Sequence, residues 1–590
     1  MHNKLPKWDL SDLYQSINDP QINTDLQQIT SQIQLLRRDF YQKISSLNPA
    51  QLNNFLEKYE KISDSICKIS TYCYLQYATN LNNQQVLAFF QDNQEKIAYF
   101  SGELVFAINE IVSLDLAKLQ SLQHDPALAK YQPFLRDLIF SKPHHLNEQL
   151  EKLNIDKNIT GSRAFIRLFD ETINNLQFNY NGKKLNSSQI FNLLSESDRQ
   201  IRQQASEEIA RVFAENSKIF TFITNTLAKD KQVQDQWRQY PTPISSRNSE
   251  EFLPDEVVEI MIDTIKKNYS KTAHRYYKLK AKILKLDKLE FYDRNAPLPY
   301  KSNKIFSWQQ AKDIVLSSYK QFSPQMAEIA EKFFTNNWID AQIYDGKDSG
   351  AFSHPCTTSV HPYILLNYQE KIRDVATLAH ELGHGVHQYL ARKQGYLQSS
   401  TPITLAETAS IFGEELVFQK ILQNISDKDE KISLIANKIE DIINTAVRQI
   451  AFCEFEKRVH QHRQQGELSS EQICKFWLEV QQQSLGDAFN FGDNYAYFWC
   501  YIPHFIHTPF YVYAYAFGYC LVSSLYATYQ QNNIPNFIDK YLAMLESGGS
   551  KWHEELLQQF GLSMYKQQFW QFGIDSLISY IDQLEQLISS

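Results

Sequence analysis

The chain has 590 residues and a net charge of −8, with 59 Lys and Arg against 67 Asp and Glu. That length allows a large core and more than one domain, while an acidic balance without a basic block excludes the polyanion-binding classes, nucleic-acid binders first among them. Gly (17) and Pro (18) are both scarce against usual shares of about 7% and 5%, so few breakers interrupt a sequence rich in Leu, Ile, Gln, Lys and Glu, and the expected fold is mainly α.

The amino terminus, MHNKLPKWDLSDLYQ, lacks the apolar core of a signal peptide. Seven cysteines, odd in number and without C-x-x-C spacing, read as reduced thiols of a cytoplasmic protein. Residues 1–200 are expected to form an N-terminal helical domain. Ile22, Leu26, Ile29, Ile33, Leu36, Phe40 and Ile44 recur at three- and four-residue steps, and Leu52, Phe55, Tyr59, Ile62, Ile66, Ile69 and Tyr72 repeat the pattern after Pro49. Such stripes are core and carry no chemistry. Near 176–186, LQFNYNGKKLN predicts a hairpin, with Asn181-Gly182 as its type I′ turn. Residues 201–590 are expected to form a second domain, with a loop over Asp293–Asn303 marked by two prolines.

Between 338 and 368 the pattern changes. AQIYDGKDSGAFSH carries two glycines among charges, and PYILLNY (Pro362–Tyr368) is a short apolar run, which together predict a small β-sheet. Its apolar residues pack a core in any case, and an exposed edge of it could pair with an extended peptide backbone.

The stretch that follows organises the chain. DVATLAHELGHGVHQYLARKQG (Asp374–Gly395) contains His380-Glu381-Leu382-Gly383-His384, the H-E-x-x-H pattern. In a helix, residues four apart share a face, so both imidazoles reach one metal ion and Glu381 stands beside a water at that metal. Val375, Leu378, Ala379, Leu382 and Val386 supply the apolar stripe, Asp374 stands where an N-cap would, and Gly395 marks the stop. A bare H-E-x-x-H also arises by chance, so a third ligand is needed. The spacing H-E-x-x-H-x-x-G-x-x-H fails, because His387 occupies the glycine position and Leu390 the last histidine position; His387 reads as packed or as a neighbour of the ligands. Glu407, in TLAETASIFGEEL, is the better candidate, on a second helix opened by Thr401 as N-cap and Pro402. Thr404-x-x-Glu407 also matches a capping box, which would give that carboxylate a purely local role. Glu414 returns to the face of Glu407 and could orient a histidine, with Glu415 turned to solvent.

Further on, PFYVYAYAFGYCLVSSLY (Pro509–Tyr526) is apolar enough to suggest a membrane span. Its five tyrosines and Gly518, with His504 and His507 upstream, argue against lipid contact. Tyr511, Tyr513 and Tyr515 alternate, so an extended chain would send all three to one side. Buried phenols need partners, and a peptide oxyanion is one such partner.

HELGHGVH followed by AETAS resembles the zinc metallopeptidase family of oligoendopeptidase F, related more distantly to thimet oligopeptidase. WDLSDLY, GKDSGAF, PYILLNY, IPHFIHTPFYVYAYAFG and LESGGS agree with it, so the similarity spans nearly the whole chain. The resemblance implies a two-lobed helical body with a deep channel, one Zn2+ per chain, and cleavage of short peptides, without nucleic-acid or membrane partners. It implies His380, His384 and Glu407 as zinc ligands and Glu381 as catalytic base. His504 and Tyr511 would hold the transition state, with His507, Tyr513 and Tyr515 as competing choices. An exopeptidase with the same ligands is the rival enzyme, and a peptide-binding protein that kept the scaffold is the rival outside catalysis, although the motif here is intact.

Overall fold

In the computed structural model, which describes residues 5–300 and 304–589, 71% of the chain is helical, as the scarcity of breakers predicts. Helix α1 (Pro20–Phe40) is capped by Asp19, which accepts from the Gln21 N–H, and it buries the whole predicted stripe from Ile22 to Phe40. Helix α2 (Pro49–Ala78) opens with Pro49 in its first turn and an Asn48/Gln51 capping box. It buries Leu52, Phe55, Ile62, Ile66, Ile69 and Tyr72. Each such side chain contributes about 1.5–3 kcal/mol when taken out of water. Helix α3 (Gln84–Ser113) packs on both.

The predicted hairpin is present as β1 (Phe178–Tyr180) and β2 (Lys183–Leu185), antiparallel with Tyr180 opposite Lys183. Asn181 and Gly182 both have positive φ, at 50° and 76°, as a type I′ turn requires. Strand β1 then packs against α4 (Arg199–Trp237), a 39-residue helix. Of the loop expected over 293–303, residues 301–303 lie outside the described residues. Asp293 at its start is fully buried, because Arg199 and Arg202 both donate to its carboxylate.

The chain forms two compact units, each assembled from three segments. Unit 1 comprises Met1–Asn147, Asn303–Asn424 and Thr528–Leu562; unit 2 comprises Glu148–Ser302, Ile425–Ala527 and Ser563–Ser590. The contiguous division expected at residue 200 does not follow these units. Residues 148–200 fold with the segment after them, since both the helix Ser162–Asn175 and β1 lie along α4. A stripe shows that a face is buried, but not which later segment covers it.

Unit 1 holds the small sheet. Its strands β3 (Ile339–Asp340), β4 (Phe352–His354) and β5 (Tyr363–Leu365) are ordered β3-β5-β4. Strand β5 runs parallel to β3 and antiparallel to β4, so Ile364 faces both Ile339 and Ser353. Lys347 of GKDSGAF clamps the connection. Its buried ammonium donates to Asp340 Oδ1 at 2.7 Å and to the carbonyl oxygens of Asp340, Gln342 and Leu366.

Helix α5 (Trp308–Phe322) precedes this sheet, and helices α6 (Ile372–Ala391) and α7 (Thr408–Gln423) follow it, with α6 in contact with β4 and β5. In unit 2, α8 (Arg448–Arg463) precedes the aromatic stretch. That stretch feeds α9 (Tyr513–Gln531), where Phe517, Cys520, Leu521 and Leu525 are buried. Among the described residues no single helix is long and apolar enough to cross a membrane. All seven cysteines carry free thiols.

Candidate metal centre and active site

Helix α6 delivers the H-E-x-x-H pattern as its spacing predicts. Val375, Leu378, Ala379, Leu382 and Val386 are all fully buried. Asp374 is not the N-cap, however. The helix starts three residues earlier, with Lys371 as cap, and Asp374 in the first turn accepts the backbone N–H groups of Lys371 and Gln369 at 2.9 and 2.7 Å. Gly395, at φ +80°, ends the helical path after a short 3-10 turn. The His380 and His384 rings lie one turn apart with centroids 4.9 Å from each other.

The start of the second helix also differs from expectation. Pro402, not Thr401, is the cap of a single turn, Ile403–Ala406, and Glu407 sits at the joint between that turn and α7. No capping box forms with Thr404, whose hydroxyl pairs with His553 Nε2 at 2.7 Å. The Glu407 carboxylate points at the motif helix. Its Oε2 is 3.4 Å from His380 Nε2 and 3.4 Å from His384 Nε2, and it accepts from Ser410 Oγ at 2.7 Å.

These three side chains offer ligand atoms all within 4.8 Å of one another, the one such group of His, Cys, Asp or Glu found among the described residues. Ligands about 2.0–2.1 Å from a tetrahedral ion stand about 3.3–3.4 Å apart. The two N···O separations of 3.4 Å match the spacing of ligands around a small divalent cation. Glu414 lies 3.5 Å from the other nitrogen of His380, Nδ1, the carboxylate–histidine arrangement that fixes which nitrogen faces a metal. Glu415 accepts instead from Gln419 on its own helix.

Two close approaches hold the constellation together. Gly383 lies against α7 so tightly that a Cβ there would stand 2.4 Å from the carbonyl oxygen of Ala409, two residues after Glu407. Tyr319 on α5 donates to the carbonyl of Ala379 at 2.6 Å, next to His380. Gly383→Ala should force α6 and α7 apart, at a cost of about 1–3 kcal/mol or more. A lower melting temperature together with reduced metal content would report it; an unchanged metal content would show that the close approach does not matter.

The charges are strongly coupled. Burial opposes charge on His380, but the hydrogen bond to Glu414 and the charges of Glu407 and Glu381 outweigh it and raise its pKa to about 9. Burial takes His384 down to about 4. Glu407 is also penalised by burial, yet the two histidines and Ser410 hold its pKa below the ordinary carboxylate value. Glu381, only 6% exposed, is raised by burial to about 7, against the pull of His380 and a hydrogen bond with the Ser353 backbone. A carboxylate with a pKa near neutrality is suited to accept and return a proton. His387 is packed inside, its pKa pushed by burial to about 4. Ser410, Ser353 and Tyr319 were not legible as participants. Only Ser410, three residues beyond Glu407, had a helical spacing that pointed to its neighbour.

Of the strands expected from AQIYDGKDSGAFSH and PYILLNY, β4 is one that stands at an edge of the sheet. The carbonyl of its central residue, Ser353, accepts from Gln388 Nε2 of α6 at 3.1 Å. At this residue the edge is tied to the motif helix.

His504 and Tyr511 lie in unit 2. Their rings stack with centroids 5.9 Å apart, and His504 Nε2 pairs with Tyr515 Oη at 3.2 Å. Tyr511, Tyr513 and Tyr515 do not share one side of an extended strand. The chain turns at Phe510, at φ +62°, and is helical from Tyr513 onwards. On a turn-and-helix path residues four apart meet, so Tyr511 and Tyr515 stand together, with centroids 5.3 Å apart, while Tyr513 is buried in the core. Glu456 of α8, fully buried, accepts the Phe510 N–H at 2.8 Å and so fixes the turn that presents Tyr511. His507 pairs with Asp170 at 2.8 Å, away from the tyrosine pair.

Comparison with known proteins agrees with this architecture. The sequence profile of peptidase family M3 matches residues 192–575, and that of Oligopeptidase F matches residues 110–178. The Oligopeptidase PepF of Bacillus subtilis is 25% identical over 98% of this chain and 87% of its own length. An oligoendopeptidase F homolog of Borreliella burgdorferi is 27% identical over 96% and 95% of the two chains. Among solved structures, a chain from Chlamydophila abortus superposes with a TM-score of 0.86 at 26% identity, over 98% of each chain. The oligoendopeptidase-F of Enterococcus faecium shares the fold, with a TM-score of 0.73 at 20% identity over 96% of this chain and 99% of its own. The motif helix, the Glu407 helix and a profile match running over most of the chain converge on one conclusion: this chain belongs to peptidase family M3, as a metalloendopeptidase of the oligoendopeptidase F type.

Proposed function

We propose that the chain is a zinc-dependent endopeptidase that hydrolyses short peptides, with His380, His384 and Glu407 as zinc ligands and Glu381 as general base. The observation that carries this reading is the convergence of two imidazoles and one carboxylate, with the carboxylate oxygen 3.4 Å from a nitrogen of each imidazole, beside a buried carboxylate that is no part of the ligand set. Zinc in such a site supplies Lewis-acid chemistry, polarising a carbonyl oxygen and acidifying a water. Glu381 takes the proton of the attacking water and passes it to the nitrogen of the leaving amine. Glu414 holds His380 with its Nε2 towards the ion, and Ser410 orients the Glu407 carboxylate. For the oxyanion donor the resemblance points to Tyr511, whose ring neighbours are His504 and Tyr515; one such donor is worth about 10²–10³ in rate. The seven free thiols support a reducing, cytoplasmic setting.

The decisive experiment is digestion of a peptide library blocked at both ends, with and without chelator, read by mass spectrometry. Cuts at internal bonds are expected, abolished by chelation and restored by Zn2+. Products trimmed residue by residue from one end of unblocked peptides, with blocked peptides intact, would point to the exopeptidase rival. Cleavage indifferent to chelator would sink the metal-dependent reading.

A further inference from the structure

Unit 1 contains a cavity of about 500 Å³ that begins at the metal centre, with His384 and His387 in its wall, and runs along α6 to Arg392. Its electrostatics are one-sided. Among the described residues that line it, Arg392 is the only one of Lys, Arg, Asp or Glu type. The neighbouring carboxylates are otherwise engaged: Glu407, 3.4 Å from His384 Nε2, belongs to the metal centre. Asp64 lies behind the wall and accepts from Thr357 Oγ1 and from the N–H and hydroxyl of Thr358. Glu60 is paired with Lys130 and the Tyr131 hydroxyl.

Arg392 is held in place rather than left to wander. Its Nη1 donates to the Val360 carbonyl at 2.9 Å, and its guanidinium lies 3.9 Å from the centre of the Tyr389 ring. A guanidinium has five N–H donors in a fixed fork; Val360 takes one of them and the Tyr389 hydroxyl another. The remainder match a carboxylate, which is the group such a fork binds best. Tyr396, Ser400 and Thr401, three hydroxyl-bearing residues, line the same space.

Resting on the peptidase reading above, we infer that this cavity is a substrate subsite for a carboxylate, with Arg392 as its specificity-determining residue. Eight helical positions separate His384 from Arg392, a rise of about 12 Å, and an extended peptide advances about 3.3–3.6 Å per residue. The carboxylate therefore sits about three residues from the bond that is cut. It is supplied either by an Asp or Glu side chain or by the C-terminus of a short peptide.

The test uses the full-length, Zn2+-loaded protein and a peptide set built on one cleavable core. Glu or Gln is placed at each position up to four residues from the cut, and each peptide is made with a free and an amidated C-terminus. Two quantities are read: kcat/KM in the wild type, and affinity in the Glu381→Gln protein, which needs no turnover. A carboxylate in the right place should be preferred over its neutral counterpart by about 10- to 100-fold, mainly in KM. Preference that follows Glu identifies the side chain as ligand; preference that follows the free C-terminus identifies the terminal carboxylate. Arg392→Gln should collapse the ratio to about twofold or less, and Arg392→Lys should keep part of it, since lysine retains the charge without the fork. Equal use of charged and neutral peptides by the wild type, or a ratio that survives Arg392→Gln, would overturn the inference. The two readings separate cleanly. If every peptide goes uncut, the peptidase reading fails, while the affinity ratio still decides the role of Arg392.

Discussion

Glu381→Gln should leave the bound metal in place and lower peptide cleavage by about 10²–10⁴-fold, equivalent to about 3–5.5 kcal/mol of lost transition-state stabilisation. The substitution changes almost no volume, so α6 should keep its packing between the sheet and α7. It removes the group able to accept a proton. In the structure Glu381 is buried, its pKa raised by burial to about 7, and it belongs to none of the contacts that join His380, His384 and Glu407. Metal content by emission spectrometry and kcat on a quenched peptide are the paired measurements. Full metal content with activity within tenfold of the wild type would remove Glu381 from the mechanism.

Glu407→Ala should have the second large effect, on metal retention itself. Two imidazoles from one helix then remain, and a single helix face cannot enclose an ion. The expected loss of affinity is well beyond the roughly 10–100-fold that follows removal of an outer-shell partner. Glu414→Ala supplies the internal comparison, because Glu414 lies 3.5 Å from the far nitrogen of His380 and outside the group of converging ligand atoms. Dialysis against a graded chelator series should strip Glu407→Ala first, Glu414→Ala next and the wild type last. Stoichiometric metal in Glu407→Ala after such dialysis would show that the second helix contributes no ligand.

Much of the site was legible in the chain because it depends on local periodicity. The four-residue spacing of His380 and His384 puts both on one helix face whatever surrounds them. The stripe from Val375 to Val386 says which face is buried, and Asn181-Gly182 makes a turn by its own conformational preference. Errors arose where a local rule had a competitor. Asp374 satisfies backbone donors from within the first turn, so the cap falls on Lys371. Thr404 and Glu407 fit a capping box by spacing, yet His553 takes the threonine hydroxyl and the histidines face the carboxylate. The tyrosines at 511, 513 and 515 alternate in sequence, but helix begins at Tyr513, and a period of 3.6 sorts them differently from a period of 2.

By itself, then, the sequence determined the helical character of the protein, the face of the motif helix, the two histidines and the carboxylate between them, since each of these follows from residues within a turn or two of one another. The tertiary structure decided how Glu407 reaches that face: Gly383, having no side chain, lets α7 approach the motif helix to backbone contact, and the joint before α7 aims the carboxylate at both imidazoles. It also decided which segments make up each compact unit and where the single arginine of the cavity stands. Those depend on contacts between positions far apart in the chain, and long-range contacts are selected by mutual shape and burial, which no local pattern encodes.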